Sequence, residues 1–297
     1  MASIHEGIMK DNISNEDLRT VKIIESKIFS SMNLGVEFAE LDILDDVNAS
    51  KRRLQELGTK LAVNNTELST TILEIARSIY FGHSVQGYVP DFYDAVIRMG
   101  ADRVKLLIFS LTLFSLGKSP AAKLRAAKSA SIGVLGRIIA EEMSLADQMV
   151  RKVETGGLLS QLGKNIFMKA REMGMEISDA LIENYDTYLA TRIIEKMHLD
   201  PFLKNAVDMS VLEFDEDSLS LVGIIKLAEA LTEDSFRRYG KLVLKSAMPD
   251  KFDIVTKTPG NDIKKLFIAL GVEEYLEIQE TPTLRQIEAA KKNEEKH

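Results

Sequence analysis

The sequence predicts an all-α protein, on three observations. Apolar residues recur at helical spacing along most of its 297 residues. Residues that start and stop helices fall at the ends of those stretches. The six prolines, at 90, 120, 201, 249, 259 and 282, have no strand pattern around them, and no alternating run reaches strand length.

The elements follow in order. Ser14-x-x-Asp17 starts a helix carrying Leu18, Val21, Ile24 and Ile28 on one face. Thr66 caps a second with Leu68, Ile72, Ile75 and Ile79, and Gly82 follows its end. Pro90-Asp91 opens a short helix that Gly100 closes, and another runs from about Asp102 to Leu116. Ser119-Pro120 is an N-cap with proline at the first helical position, and that alanine-rich helix reaches Met143. Ser144 starts the next, which the pair Gly156-Gly157 is expected to break or bend. Ser178 and Asp200-Pro201 mark two further starts. Ser218 precedes the apolar set Leu221, Ile224, Ile225, Ala228 and Leu231. Residues 213–217 form an acidic loop, 253–260 a linker, and Asn261 to Gly271 a capped helix. The charged KKNEEKH stretch frays. The reading amounts to roughly a dozen helices without a fixed repeat.

Composition narrows the function. With 38 basic and 45 acidic side chains the formal charge is −7, and 45 % apolar with 28 % charged residues is the globular norm. Disordered, collagen-like and membrane-bundle chains are excluded. Absent cysteine rules out disulfides, thiolate metal sites and a cysteine nucleophile. The apolar run Leu106 to Leu116 falls short of the ~20 residues that span a bilayer and lies between Lys105 and Lys118, so it reads as a buried helix. The opening residues lack the apolar core of a secretory signal. The expected setting is cytoplasmic, with no membrane insertion. The basic runs, Lys51-Arg52-Arg53 and Lys123-Leu124-Arg125, are too short for a nucleic-acid surface and read as solvated helix faces.

Two segments carry a family pattern. One is LAVNNTELSTTILEIARSIYFG at 61–82, followed by FYDAVIRMGADRVKLL at 92–107; the other is GLLSQLGKNIF at 157–167. In order and spacing they resemble the HDOD family, the HD-related output domains of bacterial signalling, over about residues 50–245. The resemblance implies a multi-helical HD-like fold. An amino-terminal helical subdomain, 1–118, packs on a degenerate HD-like half, 119–250, with a helical extension and charged tail over 251–297. It also implies a regulatory role exercised on protein partners of a bacterial signalling pathway.

HD phosphohydrolases hold divalent ions with a His, a His-Asp pair and a later Asp, because lone pairs on imidazole and carboxylate are what such a cation needs. Aligned on the family phrases, those positions fall at Lys128, Ser160-Gln161 and Glu229, with a further histidine position near Tyr185. An ammonium group has donors and no acceptor. The four histidines, His5, His83, His198 and His297, miss every motif position. The chain therefore reads as non-catalytic, with no cofactor and no bound metal. Its degenerate pocket comprises Lys128, Ser160, Gln161, Lys164, Tyr185 and Glu229. A sharper reading pairs Lys128 with Glu229, with Gln161 or Tyr185 as a bridge; against it stands the plainer one, in which Lys128 snorkels to solvent and Glu229 faces water. Gly163 and Lys164 survive from the family phrase and read as helix geometry and a solvated lysine rather than as site residues. A nucleotide or cyclic dinucleotide is a candidate ligand. The alternative function is a residual metal-dependent phosphohydrolase acting on such molecules.

Other constellations are weaker. Asp42, Asp45 and Asp46 lack the glycine and glutamate of a calcium loop. Tyr80, Phe81, His83, Tyr88 and Phe92 cluster around a glycine-containing loop, where they either anchor a partner or are buried in a helix corner. No phosphate-binding loop, nucleophile elbow or Ser/His/Asp triad is present.

Overall fold

The computed structural model describes residues 14–31, 36–46, 48–77, 91–115, 119–208, 220–246 and 260–280. Among these residues there are twelve α-helices: α1 Asn15–Ser31, α2 Lys51–Asn64, α3 Thr66–Arg77, α4 Phe92–Met99, α5 Ala101–Ser115, α6 Pro120–Glu142, α7 Asp147–Leu159, α8 Leu162–Glu172, α9 Asp179–Lys196, α10 Phe202–Val207, α11 Leu221–Tyr239 and α12 Gly260–Ala269. A short 3-10 helix over Phe38–Leu44 precedes α2.

The caps explain where the helices begin. Ser119 accepts from the Ala122 N–H with Pro120 inside the first turn. Ser178 does the same for α9 and Ser220 for α11. Asp91 caps α4 in a reciprocal box with Asp94, and Gly100 ends it at φ +87°. Asn65, one residue before the expected Thr66, accepts from the Leu68 N–H at α3.

Two expectations are corrected. The sequence reading had no strands, yet β1 Leu242–Ser246 and β2 Leu276–Glu280 pair in parallel, Leu242 opposite Leu276. Five residues are too short for alternation to register, and the pair is held by non-local packing that buries Leu242 and Leu244. Nor does α7 break at Gly156-Gly157. A Cβ on Gly157 would sit 2.9 Å from the backbone of Gly133, and one on Gly156 2.5 Å from Ile225 Cδ1. The glycines are where α6 and α11 approach α7 closely.

Helices α6 and α7 form an antiparallel hairpin crossed by α11, while α8 pairs with α9 and α10 fills the gap against α7. Helices α2, α3 and α4 pack together beside α5. Helix α1 lies on α8 and α9, and its Phe29 ring is 6.3 Å from Phe109 of α5. One apolar core runs from Val21 to Val272, so the described part of the extension, 260–280, packs on the body. Helix α5 buries Leu106, Leu107, Ile108, Phe109 and Leu111 within the protein. No helix among the described residues is long and apolar enough to cross a membrane.

Candidate functional site

The positions aligned with HD metal ligands lie on α6, the α7–α8 corner and α11, and all but Glu229 act there as donors. Lys128, on α6, gives both contacts of its ammonium group to Glu233, at 2.8 and 2.6 Å, and lies 5.8 Å from the centre of the Phe236 ring. Ser160 caps α7 and turns its hydroxyl back to the Gly157 carbonyl at 3.0 Å. Gln161 donates its amide to Glu229 Oε1 at 2.8 Å. Glu229 Oε2 is buried without a hydrogen bond, and the Lys226 ammonium lies 3.8 Å from it.

The expected Lys128–Glu229 pair is thus corrected to Lys128–Glu233, while the expected bridge, Gln161, does hold Glu229. Glu229 and Glu233 stand one turn apart on the same face of α11. The lysine reaches the more exposed of the two, where less hydration is lost. That i, i+4 spacing was the signal in the sequence for Glu233. Tyr185 is not in this cluster. It is buried on α9 facing α1, and its phenol is held above the ordinary range by burial first and then by the charge of Asp17, which it hydrogen-bonds.

Beside Gln161 and Glu229 the expected Lys164 meets charged residues that the sequence did not single out, Asp186 and Lys226. Lys164 is 4.0 Å from Asp186 on α9. Burial holds Asp186 above the usual carboxylate range, against the Thr187 N–H and the lysine. Burial likewise holds Lys226 below the usual lysine range, against the pull of Glu229 and Asp208. Gly163 explains the glycine of the family phrase, because a Cβ there would lie 1.9 Å from the Asp186 carbonyl oxygen. The glycine is thus required by the close approach of α9 rather than by the geometry of its own helix.

The sign of the Asp186 effect follows from linkage. A folded pKa above the unfolded value means that the native state binds the extra proton, so stability falls as pH rises through that window. Asp186→Asn should therefore raise the urea midpoint at about pH 7 and leave it nearly unchanged at about pH 4, close to the unfolded carboxylate value. An equal gain at both would show that ionisation is not the cause.

The partner-surface residues fare differently. Phe92 is buried, 5 % exposed, with its Cβ where a side chain on Gly58 would be; of the two readings it takes burial in a helix corner, which removes it from the candidate partner surface. Tyr80, Phe81, His83 and Tyr88 lie outside the described residues. Arg52 and Arg53 are solvated and paired with Glu56 and Asp46. Among the described residues, one group of three His, Cys, Asp or Glu side chains converges: Asp42, Asp45 and His198. There the buried Lys105 ammonium already sits 2.6 Å from Asp45 and 2.9 Å from the Met197 carbonyl, a cation built into the place an ion would take.

The HDOD domain family matches residues 40–202, more than half of the chain. The chain belongs to the HDOD family. No curated protein matches it. Among solved structures it is similar to an HDOD domain protein of unknown function from Geobacter sulfurreducens, at 17 % identity and TM-score 0.44, covering 79 % of this chain and 83 % of that one. It is also similar to a protein of Shewanella amazonensis assigned provisionally to the phosphohydrolases, at 14 % identity and TM-score 0.48, covering 88 % and 90 %.

The HD relationship implies a divalent metal at the α6, α7–α8 and α11 junction. The residues there do not fit one. Lys128 repels a cation, Ser160 and Gln161 direct their donors to protein oxygens, and Glu229 is the lone carboxylate of the aligned set.

Proposed function

We propose that the chain is a non-catalytic regulatory protein that works in the cytoplasm of a bacterium by binding other proteins of a signalling pathway. The observation that carries this reading is the replacement of the HD ligand set by protein–protein contacts, Lys128 with Glu233 and Gln161 with Glu229. The unit consists of two helical halves meeting near residue 118 and an extension from 251, with α1 laid across the second half. Lys128, Lys164 and Lys226, around Gln161 and Glu229, would supply the positive charge for a small anionic ligand such as a cyclic dinucleotide, held without turnover.

Purified protein incubated with manganese and a panel of nucleotides and cyclic dinucleotides should release no product above the buffer rate. Turnover that Glu229→Ala removes would establish the residual phosphohydrolase instead. Calorimetry with cyclic dinucleotides and guanosine tetraphosphate tests the ligand. Lys128→Ala should weaken such binding while changing stability by no more than about 1 kcal/mol, since its pair with Glu233 is partly exposed.

A further inference from the structure

A groove of about 680 Å³ lies between the first turn of α1 and the α8–α9 connection. Its floor is apolar: Ile177 and Leu181 are buried, at 8 % and 7 % exposure, with Met175 half-buried beside them. Its walls carry Glu16, Asp17 and Glu176. Among the described residues none of these three carboxylates forms an ion pair. Asp17 accepts a hydrogen bond from the neutral Tyr185 phenol. The one cation on the groove, Arg171, is committed elsewhere: it donates to the Ile177 carbonyl at 2.8 Å and to Asp179 at 2.6 Å. The positive N-terminal ends of α1 and α9 are offset by Glu16, Asp17 and Asp179 in their first turns. What remains is a shallow trough of mixed lining, with apolar side chains at its floor and a net negative rim.

We propose that this groove docks a basic, amphipathic segment of a partner protein, with aliphatic side chains on Met175, Ile177 and Leu181 and a lysine or arginine against Glu16 and Glu176. The volume is that of a site for a few side chains rather than a domain face. A cation entering meets carboxylates that make no ion pair within the described protein, so the encounter is steered and sensitive to salt. The inference rests on the reading of the chain as a protein-binding regulator and gives the chemistry of one partner surface.

The test is fluorescence anisotropy with labelled short peptides alternating leucine with arginine, against a leucine–glutamate series of the same length. The full chain should bind the arginine series. Glu16→Lys with Glu176→Lys should weaken binding about tenfold or more, and Met175→Ser should weaken it with an unchanged salt slope. Glu183→Lys, an exposed reversal on α9 outside the groove, should leave binding intact. Thermal melts confirm that each variant folds. Equal loss from Glu183→Lys would show attraction to the net charge alone and overturn the proposal. So would binding of the glutamate series, the absence of any binding, or self-association that the groove reversals abolish. Failure of the peptides leaves the manganese assay untouched, and nucleotide turnover in that assay leaves the groove untouched, so the two readings fail separately.

Discussion

Gly163→Ala is expected to destabilise the protein by about 3 kcal/mol, the upper end for overpacking a core. The new methyl would lie 1.9 Å from the Asp186 carbonyl oxygen and 2.5 Å from its carbon. Those are backbone atoms of α9, which cannot swing aside as a flexible side chain can. Helices α8 and α9 must move apart, and Gln161, two residues before Gly163, must shift from Glu229. Gly174→Ala supplies the contrast. Nothing lies within 4 Å of a Cβ there, and its φ of +84° makes the substitution a matter of backbone strain, worth roughly 1–2 kcal/mol. Urea unfolding of both variants separates the mechanisms. A cost for Gly163→Ala no larger than that for Gly174→Ala would show that the two helices can relax apart.

Glu154→Ala is expected to cost about 3–5 kcal/mol, because it takes the carboxylate away from a buried guanidinium. Arg103 of α5 donates to Glu154 of α7, with both side chains almost wholly enclosed, and Arg137 of α6 stands 3.9 Å from the same carboxylate oxygen. Removing the acid leaves Arg103 without this anion in a place water does not reach. Arg103→Met with Glu154→Leu should recover most of the loss, since replacing both charges removes the desolvation debt along with the attraction. A double-mutant cycle in urea measures the coupling. A single-variant cost under about 1 kcal/mol would mean that the pair is solvated in solution.

How much of this was legible in the sequence depends on how local each signal is. Ser119-Pro120, Ser178 and Asp91 with Gly100 were readable because a cap is a contact between residues a few positions apart. The family phrases were readable for a similar reason: Gly163 and Arg103 sit within them, although the Asp186 backbone and Glu154 that give them meaning are distant in the chain. The loss of the metal-ligand set could be read from residue types alone. Which carboxylate Lys128 would choose could not, since Glu229 and Glu233 share a helix face and the decision lies in their unequal burial. Tyr185 was misplaced because alignment gives a helix position but not the face that α1 covers. The strand pair escaped because each strand is completed only by the other.

That strand pair also bears on the order in which the molecule assembles. Hairpins such as α6–α7 close over a few residues, whereas joining Leu242 to Leu276 draws together points 34 positions apart. Parallel pairing of that kind incurs its loop-closure entropy before any ladder bond forms. The late step in folding should therefore be the seating of α12 and β2 on a helical body already consolidated, and amide exchange should find Leu276 to Glu280 opening well before α6.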